Sequence, residues 1–218
     1  MSAPPRPRAI LFDWDDTLAD NWDSILAAMN ATLEAFGRPP WDLARAREMA
    51  RRSLRNSFPD LFGGRWEEAR DVFYRAFAAS HLNHLKPRPG AGETLARLAA
   101  ADFLLGVVSN KTGSYLREEA AKLGWAPYFR SVVGATDAAR DKPDPAPVDL
   151  ALAGTGIARG PAVWYVGDGE VDMELARRAG LTAVLLRSEP PGAGEFTAYP
   201  PDRVAPSFAA LESLVFGG

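Results

Sequence analysis

Short apolar runs alternate with helical patterns along the chain after residue 90. Each run is rich in valine, isoleucine and leucine and is apolar at nearly every position, which is typical of strands that are covered on both faces. This alternation predicts an α/β fold with a doubly wound, Rossmann-like parallel sheet. The predicted strands are 9–12, 104–108, 131–134, 163–166, 183–186 and 203–205, and the predicted helices are about 91–101, 112–123, 145–154, 171–179 and 207–215.

The stretch from 21 to 87 interrupts this alternation because it contains no strand-like run. Its first apolar residues recur at helical spacing, and Asp23 or Ser24 stands where a helix N-cap is expected. We therefore predict an all-α helical cap at 21–87, inserted into an α/β core that consists of 1–20 and 88–218.

Two further helices are predicted within this cap, near 41–55 and 65–82, with Pro59 and the pair Gly63-Gly64 between them. The cap also holds many aromatic residues. We assign most of them to its core, since so small a helical unit needs large side chains to bury enough area.

Length and charge narrow the class of protein. A chain of 218 residues is long enough for one α/β domain with an insertion. A net charge of −3 and a pI near 5.5 give no basic surface for nucleic acid, and no apolar run reaches the ~18 residues of a transmembrane helix. The chain enters its first strand without the pattern of a signal peptide. We expect a cytoplasmic protein, monomeric or weakly homodimeric, that binds neither nucleic acid nor membrane.

The residue types that are missing restrict the chemistry. The absence of cysteine excludes disulfides, thiolate metal sites and a cysteine nucleophile. The two histidines, His81 and His84, lie one helical turn apart and could form half of a metal site, but no third ligand is evident, so we favour packing or capping. Carboxylates, hydroxyls and lysine must therefore carry any catalysis.

Polar residues follow several of the predicted strands, at the edge where an open α/β sheet binds its ligands. Crowded carboxylates need a cation to offset their repulsion, and oxygen ligands beside a phosphate suit Mg²⁺. A transferring phosphoryl group also needs cationic and hydrogen-bonding donors in place. The candidate carboxylates are Asp13, Asp15, Asp168 and Asp172, and the candidate donors are Ser109, the backbone N–H of Asn110, and Lys142.

These residues occur in an order that resembles the haloacid dehalogenase superfamily. The superfamily's Asp-x-Asp-x-Thr motif is matched by residues 13–17, its serine by Ser109, and its lysine by Lys142. Its Gly-Asp-x-x-x-Asp motif is matched by residues 167–172. The resemblance covers about residues 8–187, and the helical cap after the first motif is similar to the phosphoglycolate phosphatase-like branch.

The resemblance implies a Mg²⁺-dependent phosphatase that works through an aspartyl phosphate. Asp13 is the implied nucleophile, and Asp15 is the implied acid that protonates the leaving oxygen and then activates water. The implied magnesium ligands are Asp13, the backbone carbonyl of Asp15, Asp168, and Asp172 either directly or through a hydrogen bond. The implied phosphate-binding residues are Thr17, Ser109, Asn110 and Lys142.

The expected partner is a small phosphorylated metabolite, such as a phosphoglycolate-like ester or a sugar phosphate, over which the cap closes. Haloacid dehalogenases lack the second aspartate, so Asp15 favours phosphate esters. Phosphonoacetaldehyde hydrolases use a cap lysine, and residues 21–85 contain no lysine. Two alternatives stay open, namely a phosphosugar mutase of the same superfamily and a non-catalytic phosphate-binding module with the same fold.

Two positions depart from the superfamily pattern. Asp16 replaces the glycine that commonly follows the second aspartate, and Gly169 replaces a frequent serine. Neither change removes a reacting group, although Asp16 could perturb the turn. Between the two aspartates, Trp14 is expected to point away from both.

Residues of the cap are weaker candidates for binding the substrate. Arg47, Arg51 and Arg55 have the spacing of one helix face, which we interpret as a solvated face. Arg51 and Arg52 are kept as candidates for substrate specificity. Trp22 is the cap aromatic residue that we expect to face the active-site cleft.

Overall fold

The computed structural model describes residues 6–49 and 52–217. The chain divides into two compact units. The larger unit consists of the residues up to Ala19 together with those from Pro87 onward, and the smaller unit is Asp20–Lys86.

The described residues of the larger unit form a six-stranded sheet, in the order β5-β4-β1-β6-β7-β8, in which every pair of neighbours is parallel. The strands β2 and β3 form a separate two-stranded sheet. In chain order the strands are β1 (Ala9–Phe12), β2 (Ala19–Asp20), β3 (Lys86–Pro87), β4 (Leu104–Thr112), β5 (Ser131–Ala135), β6 (Val163–Gly167), β7 (Thr182–Leu186) and β8 (Arg203–Ala205). The predicted parallel α/β sheet is therefore confirmed.

The strand order reverses beside β1. The chain adds β4 and β5 on one side of β1, and then crosses to add β6, β7 and β8 on the other. Phe12, the last residue of β1, pairs with Val107 of β4 and with Val166 of β6. The carboxyl end of β1 is thus a switch point of the kind at which open α/β sheets bind ligands.

Helices cover the crossovers that a parallel sheet requires. Those of the larger unit are α6 (Ala91–Ala100), α7 (Gly113–Lys122), α8 (Ala146–Leu152), α9 (Glu170–Ala179) and α10 (Phe208–Phe216), close to the predicted ranges. Because helices cover the sheet, all four residues of β1 have no exposed surface. Within the described part of the chain, no helix is long and apolar enough to span a membrane.

The described residues of the smaller unit are mostly helical, although β3 begins at Lys86, within the stretch 21–87 that was expected to contain no strand. Its first helix starts earlier than expected. The helix α1 (Trp22–Ala35) has Asn21 as its N-cap, so the predicted cap at Asp23 or Ser24 is wrong. The helix starts earlier because Asp20 and Asn21 satisfy the first helical amides. The Asp20 carboxylate accepts a hydrogen bond from the Trp22 amide at 3.1 Å, and the Ser24 amide already donates to the Asn21 carbonyl at 3.1 Å.

The predicted helices 41–55 and 65–82 also differ from the structure. The first gives way to α2 (Leu43–Met49) and α3 (Leu54–Phe62), and residues 50 and 51 of that range lie outside the described residues. Pro59 lies inside α3 and does not separate helices. Proline has a helical φ and removes only one hydrogen-bond donor, which so short a helix tolerates.

A glycine with a left-handed backbone ends α3. Gly63 has a φ of 57°, and its amide donates to the Pro59 carbonyl. The chain then forms a 3₁₀ turn (Gly63–Arg65), α4 (Trp66–Ala78) and α5 (His81–His84).

Aromatic side chains form the core of the smaller unit, as predicted. Phe58, Phe62, Phe73 and Phe77 are buried, and the Phe58 and Phe73 ring centroids lie 5.8 Å apart. The buried His81 ring stacks on Phe77 at 5.0 Å, which agrees with a packing role for this histidine. Its neighbour His84 has Nδ1 at 3.4 Å from Ser24 Oγ, within the same unit.

Candidate active site

Asp13 is the first residue after β1, and the sheet itself positions it. Its amide donates to the Val166 carbonyl of β6 at 2.9 Å, which continues the parallel ladder by one residue. The side chain of Asp13 is buried, with about 12% of its surface exposed. The switch point of the sheet therefore presents a carboxylate on a backbone that is fixed by a neighbouring strand.

A buried ammonium group lies beside this carboxylate. Lys142 Nζ lies 2.6 Å from Asp13 Oδ1, 2.8 Å from Asp172 Oδ1 and 3.0 Å from the Tyr165 hydroxyl. The Tyr165 hydroxyl donates to the Val108 carbonyl at 2.7 Å, so it can accept a hydrogen bond from the ammonium. Lys142 is thereby held by Asp13, which directly follows β1, and by groups from β6 and α9.

The charge state of Lys142 depends on two opposing effects, burial and the neighbouring carboxylates. Burial opposes a charged ammonium, but the carboxylates of Asp13 and Asp172 outweigh burial and raise the pKa of Lys142 well above its usual value. Lys142 is a permanent cation in contact with two carboxylates.

A third carboxylate completes an acidic cluster. Ligand oxygens of Asp13, Asp168 and Asp172 all lie within 4.8 Å of one another. Asp168 Oδ1 accepts a hydrogen bond from Thr17 Oγ1 at 3.0 Å, and Asp172 Oδ2 accepts one from the Gly169 amide at 3.0 Å. These hydrogen bonds hold two of the three carboxylates in place.

The cluster carries more negative charge than Lys142 can offset. Burial raises the pKa of Asp168 well above its usual value, and the nearby carboxylates of Asp172 and Asp13 raise it further. Burial likewise raises the pKa of Asp172, although the Lys142 ammonium opposes the shift. A hard cation at this position would relieve the repulsion, and three carboxylates are the ligand type that Mg²⁺ prefers. The residues present can thus bind a metal ion.

Ser109 and Asn110 lie within β4, which runs four residues beyond its predicted end at Val108 and finishes at Thr112. Ser109 is buried, and its Oγ accepts a hydrogen bond from the Lys111 amide at 3.2 Å. Asn110 Nδ2 donates to the Lys142 carbonyl at 3.3 Å. Asn110 therefore links this strand to the segment that carries Lys142.

Asp15 belongs to a second buried network, which the sequence pattern did not predict. Lys111 Nζ lies 2.7 Å from Asp15 Oδ1 and 2.7 Å from Glu119 Oε2. Trp14 Nε1 donates to the same Glu119 oxygen at 2.7 Å. Burial raises the pKa of Asp15 to about 7, against the opposing effect of the Lys111 ammonium. Asp13 and Asp15, only two positions apart, thus have different lysine partners.

One sequence signal for this network was present at Glu119. The helix α7 buries Leu116, Glu119 and Ala120, so a glutamate stands on the helix face that is otherwise apolar. A buried carboxylate needs a partner, and the lysine eight positions upstream supplies it. The Trp14 side chain reaches this glutamate and packs 5.9 Å from the Trp125 ring.

The role of Tyr165 was harder to predict from the sequence. It occupies a position in the apolar strand β6, where a tyrosine is most simply interpreted as a core residue. Only the hydroxyl distinguishes Tyr165 from an apolar core residue. The hydrogen bonds that this hydroxyl makes depend on which residues the fold places beside it.

The chain matches a family model described as haloacid dehalogenase-like hydrolase over residues 10–186. The chain belongs to this family. Its membership, which was predicted from the four motifs, is confirmed, and with it the assignment as a hydrolase.

Relatives of this hydrolase support the predicted branch. The chain is 32% identical to a phosphoglycolate phosphatase from Rhodospirillum rubrum over 83% of this chain and 79% of the relative. It is also 32% identical to an N-acetylmuramic acid 6-phosphate phosphatase from Pseudomonas aeruginosa, over 84% of this chain and 82% of the relative.

Solved structures agree with the fold of the hydrolase. A haloacid dehalogenase-like hydrolase from Bacteroides fragilis superposes with a TM-score of 0.86 at 25% identity, covering 94% of this chain and 99% of that protein. A family protein from Streptococcus pneumoniae gives a TM-score of 0.83 at 23% identity, covering 98% and 99% respectively.

The arginines that the sequence analysis considered do not share a helix face. Arg47 lies in α2, with its guanidinium 5.3 Å from the centre of the Trp22 ring, whereas Arg55 lies in α3. The single-helix interpretation is wrong because the predicted helix 41–55 is replaced by two. Arg52 forms an exposed ion pair with Asp60 at 2.8 Å, and Arg51 lies outside the described residues.

Asp16, which stands where the resemblance leads us to expect glycine, adopts a left-handed backbone. Its φ is 61°, and its amide donates to the Ala19 carbonyl at 2.9 Å. Aspartate tolerates a left-handed backbone better than most residues, so the turn keeps its shape without glycine. The departure from the family pattern therefore has a local structural explanation.

This backbone predicts how substitutions of Asp16 will behave. Asp16→Gly is expected to change the free energy of unfolding by less than about 1 kcal/mol, whereas Asp16→Val, with a β-branched side chain in a left-handed backbone, is expected to cost about 1–3 kcal/mol. Urea unfolding of the two variants beside wild type measures the difference. Equal stabilities for the glycine and valine variants would contradict the strain at this turn.

Proposed function

We propose that this hydrolase is a Mg²⁺-dependent phosphatase that acts on a small phosphomonoester through an aspartyl phosphate on Asp13. The observation that carries the proposal is the pairing of Asp13 with the buried Lys142 inside the Asp13–Asp168–Asp172 cluster. A carboxylate on the end of a central strand, next to a fixed cation, suits attack on an anionic phosphoryl group.

The reaction runs in two steps on the chain's own residues. An oxygen of Asp13 bonds to phosphorus while the bond to the leaving oxygen breaks, and Asp15 gives its proton to that oxygen. Asp15 then takes a proton from water as the water oxygen bonds to phosphorus and the Asp13–phosphorus bond breaks. One residue thus serves as acid and then as base.

The donors around Asp13 would bind the transferring group. Lys142 contributes a permanent positive charge, and the Ser109 hydroxyl and the backbone N–H of Asn110 contribute hydrogen bonds. Together they balance the negative charge that spreads over the phosphoryl oxygens. Thr17 would keep Asp168 oriented through the hydrogen bond that already joins them at 3.0 Å.

Asp13, Asp168 and the Asp15 carbonyl would hold the magnesium ion. We assign Asp172 a supporting role, because its two oxygens already accept hydrogen bonds from Lys142 and from the Gly169 amide. When bound, the ion supplies positive charge that brings the anionic substrate and the Asp13 carboxylate together.

The substrate class rests on the named activities of the relatives. One is a phosphoglycolate phosphatase and another is an N-acetylmuramic acid 6-phosphate phosphatase, so we propose a small phosphorylated acid or sugar as the substrate.

A panel of phosphate monoesters tests the proposal. Purified protein with Mg²⁺ is assayed for release of inorganic phosphate from phosphoglycolate, sugar phosphates and nucleotides, with Asp13→Asn in parallel. Release by the wild type alone supports the phosphatase and ranks its substrates. No release from any ester would contradict hydrolysis and would favour the mutase or the non-catalytic module.

Removal of the metal gives a further prediction. EDTA is expected to reduce phosphate release to background and excess Mg²⁺ to restore it, because the acidic cluster needs a cation before an anionic ester can approach. Mg²⁺ is also expected to raise the melting temperature of wild type but not of Asp168→Asn. Full activity in chelator, or an equal melting shift in both proteins, would refute the metal site.

A further inference from the structure

Four side chains form a buried ring around the first catalytic loop. Lys111 Nζ contacts Asp15 Oδ1 at 2.7 Å and both oxygens of Glu119, at 3.0 and 2.7 Å. Trp14 Nε1 donates to Glu119 Oε2 at 2.7 Å, and the ring closes through the backbone, since Trp14 and Asp15 are adjacent. The side chains of Lys111 and Glu119 are 5% and 0% exposed, whereas that of Asp15 keeps 21% of its surface exposed.

Asp15 is the exposed member of this ring, and it is the group that must exchange protons. Glu119 and Trp14 lie entirely inside the larger unit, so they cannot touch a substrate themselves. Glu119 accepts two hydrogen bonds from Lys111 and one from Trp14, and Lys111 in turn donates to one oxygen of Asp15. The side chain of Asp15 is therefore restrained from its buried side by Lys111.

A buried ion pair is a poor source of stability, because the loss of hydration offsets most of its attraction. An apolar pair would fill the space beneath Asp15 at no greater cost. An apolar pair could not fix the orientation of the Asp15 side chain, because it would offer no hydrogen bond to the carboxylate.

We propose that Lys111 is a positioning residue that orients Asp15, with Glu119 and Trp14 as its support. The proposal rests on the proposed phosphatase function. By engaging Oδ1, Lys111 turns Oδ2 toward the leaving oxygen, so that the proton passes from Oδ2 as the ester bond breaks. The two lysines thus have different roles. Lys142 contacts the nucleophile Asp13, and Lys111 orients the acid Asp15.

The dependence of the rate on the leaving group separates positioning from a structural role. An alkoxide needs a proton as it leaves, whereas nitrophenolate does not, and kcat/KM reports the steps up to departure of the leaving group. For Lys111→Met, we expect kcat/KM for an alkyl phosphate to fall about 100-fold and kcat/KM for p-nitrophenyl phosphate to fall less than about tenfold. Asp15→Asn should show the same selectivity.

Two further variants control for folding. Lys122→Met removes an exposed lysine from α7, the helix that carries Glu119, and should leave both rates unchanged. The double variant Lys111→Met with Glu119→Gln leaves no unpaired charge at these positions, and the glutamine oxygen can still accept from Trp14. It should recover the wild-type melting temperature while keeping the 100-fold selective loss on the alkyl ester.

The outcomes distinguish the positioning role of Lys111 from the phosphatase activity itself. Recovery of alkyl phosphate hydrolysis together with stability in the double variant, or an equal loss on both esters in Lys111→Met, would overturn the positioning role while leaving the phosphatase intact. Failure of wild type to release phosphate from either ester would instead overturn the phosphatase and the positioning role together.

Discussion

Replacing Asp13 by asparagine is expected to lower phosphate release by at least about 10⁴-fold, the scale on which loss of a covalent nucleophile acts. The amide has the shape of the carboxylate but cannot form the aspartyl phosphate. The fold should survive, because Lys142 keeps its contact with Asp172 at 2.8 Å and the acidic cluster loses one of its mutually repelling charges. The melting temperature should stay within a few degrees of wild type.

Steady-state phosphate release and thermal melting of the same preparation measure both expectations. A control for the change of charge is Asp144→Asn, an aspartate outside the cluster that pairs with Arg140, which should retain activity. Turnover of Asp13→Asn at the wild-type rate would end the assignment of Asp13 as nucleophile.

The second large effect is expected for Lys142→Met, in which both stability and activity fall. Removing the ammonium leaves the buried carboxylates of Asp13 and Asp172 without their cation, and breaking such a pair costs about 3–5 kcal/mol of unfolding free energy. For a chain of this size the melting temperature should drop by about 6–20 °C. Activity should fall with it, because the transferring phosphoryl group loses its fixed positive charge.

The stability deficit of Lys142→Met should depend on pH in a defined direction. The pKa values of Asp168 and Asp172 are raised by burial already in wild type, and losing the ammonium raises that of Asp172 further. The folded variant then binds protons more readily than its unfolded chain, so its stability rises as the pH falls through this range. Melting curves at several pH values beside Lys122→Met test this. A deficit below about 1 kcal/mol that does not change with pH would contradict the buried cluster.

The sequence predicted the sheet, and the closeness of several candidate site residues, for one physical reason. Strands buried on both faces are apolar throughout, so their ends are marked by the first polar residue, and in a parallel sheet those ends meet at one edge. This rule places Asp13 and Asp168 together, and Lys142 joins them because it lies in the segment between β5 and α8. The structure adds that Asp172 also contacts Lys142.

The parts that could not be predicted depend on partners far apart in the chain. Trp14 and Glu119 are 105 residues apart, and Lys111 and Asp15 are 96 residues apart, so no local pattern pairs them. The helix boundaries near Pro59 failed for another reason. Proline weakens a helix by one hydrogen bond, and packing of Phe58 and Phe62 in the core of the smaller unit outweighs that loss.

Trapping the intermediate tests the central claim most directly. Asp15→Asn is mixed with p-nitrophenyl phosphate and Mg²⁺, a substrate whose leaving group needs no proton, so that the phosphorylated enzyme forms but is hydrolysed slowly. The mixture is acid-quenched and treated with borohydride, which reduces an acyl phosphate to an alcohol, and the peptides are analysed by mass spectrometry. The mechanism predicts homoserine at position 13. Release of nitrophenol with aspartate unchanged at that position, or reduction at another carboxylate, would contradict it.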